Sequence, residues 1–74
     1  MSNNNISVLL DMVLERSIPH IANLFFIKEI ILQMKTQVDS YEAAEKFLDK
    51  MILKEQDPTK STDLKILQMY LSQK

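Results

Sequence analysis

"ANLFFIKEIILQM", residues 22–34, is the most concentrated apolar stretch of this chain, and its reading decides the fold. A membrane-spanning helix needs about 20 consecutive, mostly apolar residues. Here Lys28 and Glu29 interrupt the run near its middle. Seven of the nine residues from 6 to 14 are also apolar, which invites the picture of a membrane hairpin, but Asp11, Glu15 and Arg16 break that segment in turn. A helix lying on a membrane surface usually carries a basic polar face, and none is present here. The stretch therefore reads as a helix of a globular domain, with no membrane span and a cytoplasmic location expected.

Its polar residues do not collect on one side. At about 100° per residue, Lys28 and Lys35 fall in one sector, and Glu29 and Gln33 in another roughly 120° away. A wide apolar arc holds Leu24, Phe26, Ile27, Ile30, Ile31 and Met34, and a narrow one holds Ile21, Phe25 and Leu32. A helix with two apolar faces is either enclosed by its own fold or covered by another chain. Four short helices do not readily enclose one of their own members.

The count of four follows from the rest of the chain. The sequence has 74 residues, enough for one domain at most, with no Gly and with Pro only at Pro19 and Pro58. Tight hairpin turns favour residues that tolerate positive φ, so a chain without Gly is expected to be all-α. The spacing of Ile6, Leu9, Leu10, Val13 and Leu14 predicts a first helix over 6–17, with Asn5 as cap and Val8 and Met12 widening its stripe. Residues 1–5 are expected to be disordered. Pro19 ends the first helix near Arg16 to Ile18 and is tolerated in the first turn of a second, over 19–37, with Ser17 as a possible cap. Asp39 with Glu42, or alternatively Ser40, opens a third over 40–55, whose stripe is Tyr41, Ala44, Phe47, Leu48, Met51 and Ile52. "EQDPTKSTD", residues 55–63, reads as a loop, and a fourth helix over 61–72 places Leu64, Leu67, Tyr70 and Leu71 on one side.

Composition excludes several function classes. There is no Cys and one histidine, His20, which rules out disulfides and a Cys-based zinc site; no metal and no cofactor are expected. His20 reads as a surface or interface residue, because no second ligand and no acid–base partner is tied to it by a motif. The start "MSNNNISVLL" has no basic n-region and leads into Asp11, so a cleavable signal peptide is not expected. Glu42, Glu45 and Asp49 read as a helix exterior rather than as acid–base machinery, and no catalytic residue is expected. Met12, Met34, Met51 and Met69, one in each helix, read first as core fillers.

The net charge of −1 argues against nucleic acid, and eight of the nine basic residues are Lys, which leaves Arg16 alone for bidentate recognition. Lys46, Lys50 and Lys54 form an i, i+4 ridge, but they alternate with acids and read as a solvated face. If Lys60 and Lys65 joined that ridge on one surface, they would support a second reading, a small nucleic-acid-associated regulator.

The favoured expectation is a non-catalytic regulatory or adaptor protein that binds protein through an apolar helical surface, with self-association as a homodimer the simplest case. The residues expected to meet the partner are Val8, Met12, Ile21, Phe25 and Leu32.

Overall fold

The computed structural model describes residues 4–73, with side chains from Ile6 onward. Four α-helices, and no strand, occur among the described residues: α1 (Asn4–Ser17), α2 (Leu24–Gln37), α3 (Tyr41–Lys54) and α4 (Pro58–Ser72). A 3-10 turn, Ile18–His20, lies between α1 and α2. The all-α class and the helix count match the sequence. Residues 1–3 of the expected disordered tail, and the side chain of the expected cap Asn5, lie outside the described part; α1 itself already includes Asn4 and Asn5.

Helix starts follow local chemistry. Ser40, rather than Asp39, caps α3, its Oγ accepting the Ala43 amide at 3.1 Å. α4 begins earlier than the expected residue 61, because Asp57 and Pro58 form a cap and first turn instead of a loop. The Asp57 carboxylate accepts the Thr59 amide at 2.9 Å and the Thr59 hydroxyl at 2.7 Å. Proline fits the first helical position because its missing N–H would have had no intrahelical partner there.

Helix ends follow from the absence of glycine. No described residue has positive φ, so none of these helices closes with the left-handed residue common at C-termini. The chain instead passes directly into extended backbone at Val38 (φ −117, ψ 145) and Glu55 (φ −73, ψ 124), each of which still donates its amide to the carbonyl four residues back. Only three residues separate α2 from α3, and three separate α3 from α4. The second of these connections folds α4 back on α3, whereas α2 and α3 make little contact with each other.

α4 is the hub: it packs on α1, α3 and α2, while α1 also packs on α2. The core joins Leu10 and Val13 of α1, Ile27, Ile30, Ile31 and Met34 of α2, Ala44 and Leu48 of α3, and Leu64, Leu67 and Leu71 of α4. The wide arc of α2 thus faces inward from Phe26 to Met34, while Leu24, at the first position of the helix, is half-buried and outside this cluster. The radius of gyration is 11.3 Å, about the value a close-packed chain of this length should have.

The second helix departs from expectation at its start: it begins at Leu24, not at 19. After the 3-10 turn at Pro19 the chain is extended at Ile21 (φ −95, ψ 132). Ser17 does not cap the next helix; it is buried and its hydroxyl donates back to the Leu14 carbonyl at 2.9 Å. What holds the break comes from α4. Asp63 is 2 % exposed; its Oδ1 accepts the Ala22 amide at 3.0 Å, and its Oδ2 accepts the Asn23 amide at 2.7 Å and the Asn23 side-chain amide at 3.0 Å. Asn23 Nδ2 also donates to Thr59 Oγ1 at 3.3 Å. A buried carboxylate is stable only when its lone pairs are taken up, and the backbone donors before α2 have no intrahelical acceptor. Each satisfies the other across 40 and 41 residues of chain.

Asp63→Ala is expected to destabilise the fold by about 3 kcal/mol, because two partly buried backbone amides lose a charged acceptor. In a domain of this size that lowers the melting temperature by more than about 10 °C. Asp63→Asn should also destabilise, since its NH2 group would face one of the two backbone amides donor to donor; an unchanged melt for either variant, followed by circular dichroism, contradicts the anchor.

The Asp57 carboxyl is held below its ordinary range, first by the Thr59 hydroxyl and then by the Thr59 and Lys60 amides. A group whose value is lower folded than unfolded stabilises the fold fully above the unfolded value, and loses that contribution as pH falls through the folded one. Asp57→Asn, which caps without titrating, should flatten the acid limb of the stability profile measured by melts at stepped pH.

Candidate functional site: the outer face of α1 and α2

On α1, Leu10, Val13 and Ser17 point inward, and Val8 projects roughly 180° from Ser17. Val8 is 55 % and Met12 45 % exposed. On α2, Phe25 is 78 % and Leu32 57 % exposed, opposite buried Ile27 and Met34. Phe25 and Leu32 are two turns apart on one line of the helix, with Lys28 and Glu29 flanking that line on opposite sides. α1 and α2 are neighbours, tied by an ion pair between Asp11 and Lys35. Four of the five residues expected to meet a partner are therefore exposed, on two helices that pack on each other.

Ile21 is the exception. It packs against the core, because the break before Leu24 takes it off the helical wheel on which it shared the arc of Phe25. Met69, read as a core filler, is on the surface at the flank of α4, as is Met12 on α1, while Met34 is buried and Met51 packs on the core. Leu53 is also exposed, on α3, among Lys46, Asp49 and Lys50 of that helix; isolated apolar residues of this kind are ordinary.

Beside the α1 ridge lies a notch. Leu9, Met12, Val13 and Arg16, spaced i, i+3, i+4, i+7 along α1, line it together with Tyr70 of α4. Its volume of about 80 Å³ is well below the roughly 300 Å³ at which small-molecule sites begin, so it suits one side chain rather than a metabolite. The His20 ring stacks on Tyr70 at 6.0 Å and 20°, fastening the 3-10 turn to α4.

The remaining candidates are placed as follows. No group of three or more metal-binding side chains occurs among the described residues, and no helix there is long and apolar enough to cross a membrane. The α3 acids tie helices together: Glu45 accepts the Tyr41 hydroxyl at 3.0 Å and the Ser72 hydroxyl at 3.4 Å, and Asp49 accepts Gln68 Nε2 at 2.6 Å. Burial first, and then the bond to Glu45, raise the Tyr41 phenol above its ordinary value. Lys46, Lys50 and Lys54 are exposed, but Lys60 sits over the Phe26 ring at 5.0 Å from its centroid, covering an edge of the core as a cation on a π face. Lys65 projects roughly 140° away from Lys60 around α4. The five lysines do not share one surface. Asp63 and the notch had no distinctive sequence signal; an acid among "KSTD" reads as one more possible cap.

Fold and surface together define a small all-α domain, organised around α4 and carrying an apolar ridge on the outer side of its first two helices. The chain belongs to the MJ1579 family, whose model matches residues 8–74, a span that includes α2, α3, α4 and α1 from Val8 onward. No curated protein and no solved structure matches it.

The placement predicts a separation of phenotypes. Leu32→Ser should leave the melting temperature within about 2 °C of the parent, since surface changes fall within about half a kcal/mol. Ile21→Ser should lower stability by about 1–2 kcal/mol, as expected for a partly buried apolar side chain. Equal effects in paired thermal melts would show that Ile21 does not serve the core.

Proposed function

We propose that this chain is a small, non-catalytic protein-interaction module, a regulatory or adaptor protein that acts as a homodimer through the outer face of α1 and α2. The observation that carries the reading is Phe25, 78 % exposed and in line with exposed Leu32. Burying a large apolar side chain is worth about 1.5–3 kcal/mol, and contiguous apolar surface on a small protein marks an interaction site. Val8 and Met12 on the neighbouring helix extend the ridge, so a partner gains from both at once. A second copy is the simplest occupant, because one two-fold contact covers the surplus of both chains.

Sedimentation at low micromolar concentration tests the reading. The parent protein should run as a dimer, and Phe25→Glu should weaken association at least about tenfold with unchanged helicity by circular dichroism. A folded parent that remains monomeric would overturn it, and so would a Phe25→Glu variant that dimerises like the parent.

A further inference from the structure

The homodimer reading leaves open how two copies meet. Resting on that reading, we infer that the two α2 helices pack side by side and parallel, each ridge against its own copy, with Lys28 of each protomer paired to the partner's Glu29.

The ridge is straight, and its flanks carry opposite charge. Phe25 and Leu32 stand seven residues apart and within about 20° of each other around α2, and Lys28 and Glu29 fall about 50° to either side of the line between them. Lys35, which shares the sector of Lys28, is bound to Asp11 of α1. Lys28 is therefore on the flank beside α1, and Glu29 on the flank away from it. Both are exposed, and neither side chain has a hydrogen bond or ion pair among the described residues. They are consecutive residues midway between Phe25 and Leu32, so the ridge carries one free cation and one free anion at nearly the same height.

Symmetry turns that placement into a choice. Two copies of one ridge can meet about a two-fold axis that runs across the helix or along it. An axis across α2 sets the helices antiparallel, with Phe25 on the partner's Leu32. It also lays each flank on its own copy, so Lys28 meets the partner's Lys28 and Glu29 the partner's Glu29. An axis along α2 sets the helices parallel and exchanges the flanks. Phe25 then meets the partner's Phe25, Leu32 the partner's Leu32, and a lysine faces a glutamate on both sides of the apolar line. Opposed like charges select against an arrangement, and opposite charges fix its register, so the ridge specifies the parallel pair.

The neighbouring charges leave this choice intact. Asp11 is neutralised by Lys35. Glu15 is exposed on the outer side of α1, a helix spacing of about 8–10 Å from α2, and Lys28 stands between it and the partner's Glu29. Arg16 lies on the far side of α1, at the notch beside Tyr70.

The chain has no Cys, so one introduced thiol reads the axis directly. In the parallel dimer the two copies of Leu32→Cys lie at one height and should form an intermolecular disulfide in a glutathione redox buffer, seen as a covalent dimer on a non-reducing gel. In an antiparallel dimer they would lie seven residues apart along the helix, about 10 Å, beyond the roughly 7 Å between α-carbons that a disulfide spans. Leu32→Cys would then cross-link to Phe25→Cys instead. Charge exchange is the second measurement, by sedimentation velocity with melts as the folding control. Lys28→Glu and Glu29→Lys should each weaken self-association roughly tenfold, and the double variant should recover parental affinity. A dimeric Leu32→Cys protein that does not cross-link to itself, or single charge variants that dimerise like the parent, overturns the parallel pairing while the homodimer reading stands. If the parent itself is monomeric, both fall.

Discussion

The fold depends on the pairing of one buried carboxylate with two backbone amides. Asp63, on the central helix α4, accepts the amides of Ala22 and Asn23 where the chain breaks between the 3-10 turn and α2. Without an acceptor those partly buried donors would be unpaired; without the donors the charge would have no place in the interior. The bond therefore fixes the point at which α2 begins and the rotation at which it leaves that point. Rotation decides which side chains of α2 point inward: Ile27, Ile30, Ile31 and Met34 enter the core, and Phe25 and Leu32 are carried to the opposite side.

That division follows from size as well as from chemistry. With four helices of 14 or 15 residues, the core has room for one stripe from each, and the second apolar strip of α2 has nothing left to pack on. The same holds for Val8 and Met12 on α1. Small domains bury a smaller fraction of their surface than large ones, and here the remainder is gathered on adjacent helices. Association of two such faces would enlarge the buried core without lengthening the chain, which is one way a short protein gains stability.

Much of this was legible from spacing. The inner stripes of α1, α3 and α4, the wide arc of α2, the end of α1 before Pro19 and the exposure of Val8, Met12, Phe25 and Leu32 all follow from a period of about 3.6 residues and a few local signals. The misreadings share a cause. Starting α2 at Pro19 assumed that a proline tolerated in a first turn begins a long helix, but a 3-10 turn uses it equally well. Starting α4 at residue 61 counted Asp57 and Pro58 as loop, although an acid followed by proline is also a cap followed by a first helical residue. Ile21 went astray with the first of these, because a wheel drawn through a break puts every earlier residue at the wrong angle. Lys60 was placed with the other lysines, since nothing local tells that Phe26 of another helix lies beneath it.

The sequence by itself determined the class and the surplus: no glycine, two prolines and four amphipathic segments leave little but a helical bundle, and α2 carries more apolar surface than such a bundle can cover. Tertiary structure decided where the surplus goes. Asp63 reaches its amides across some forty residues, and periodicity is a local quantity that holds no record of such a contact. Only when α4 docks and takes up those two donors does the start of α2 become fixed, Ile21 turn to the core, and Phe25 and Leu32 stand outward beside the ridge of α1.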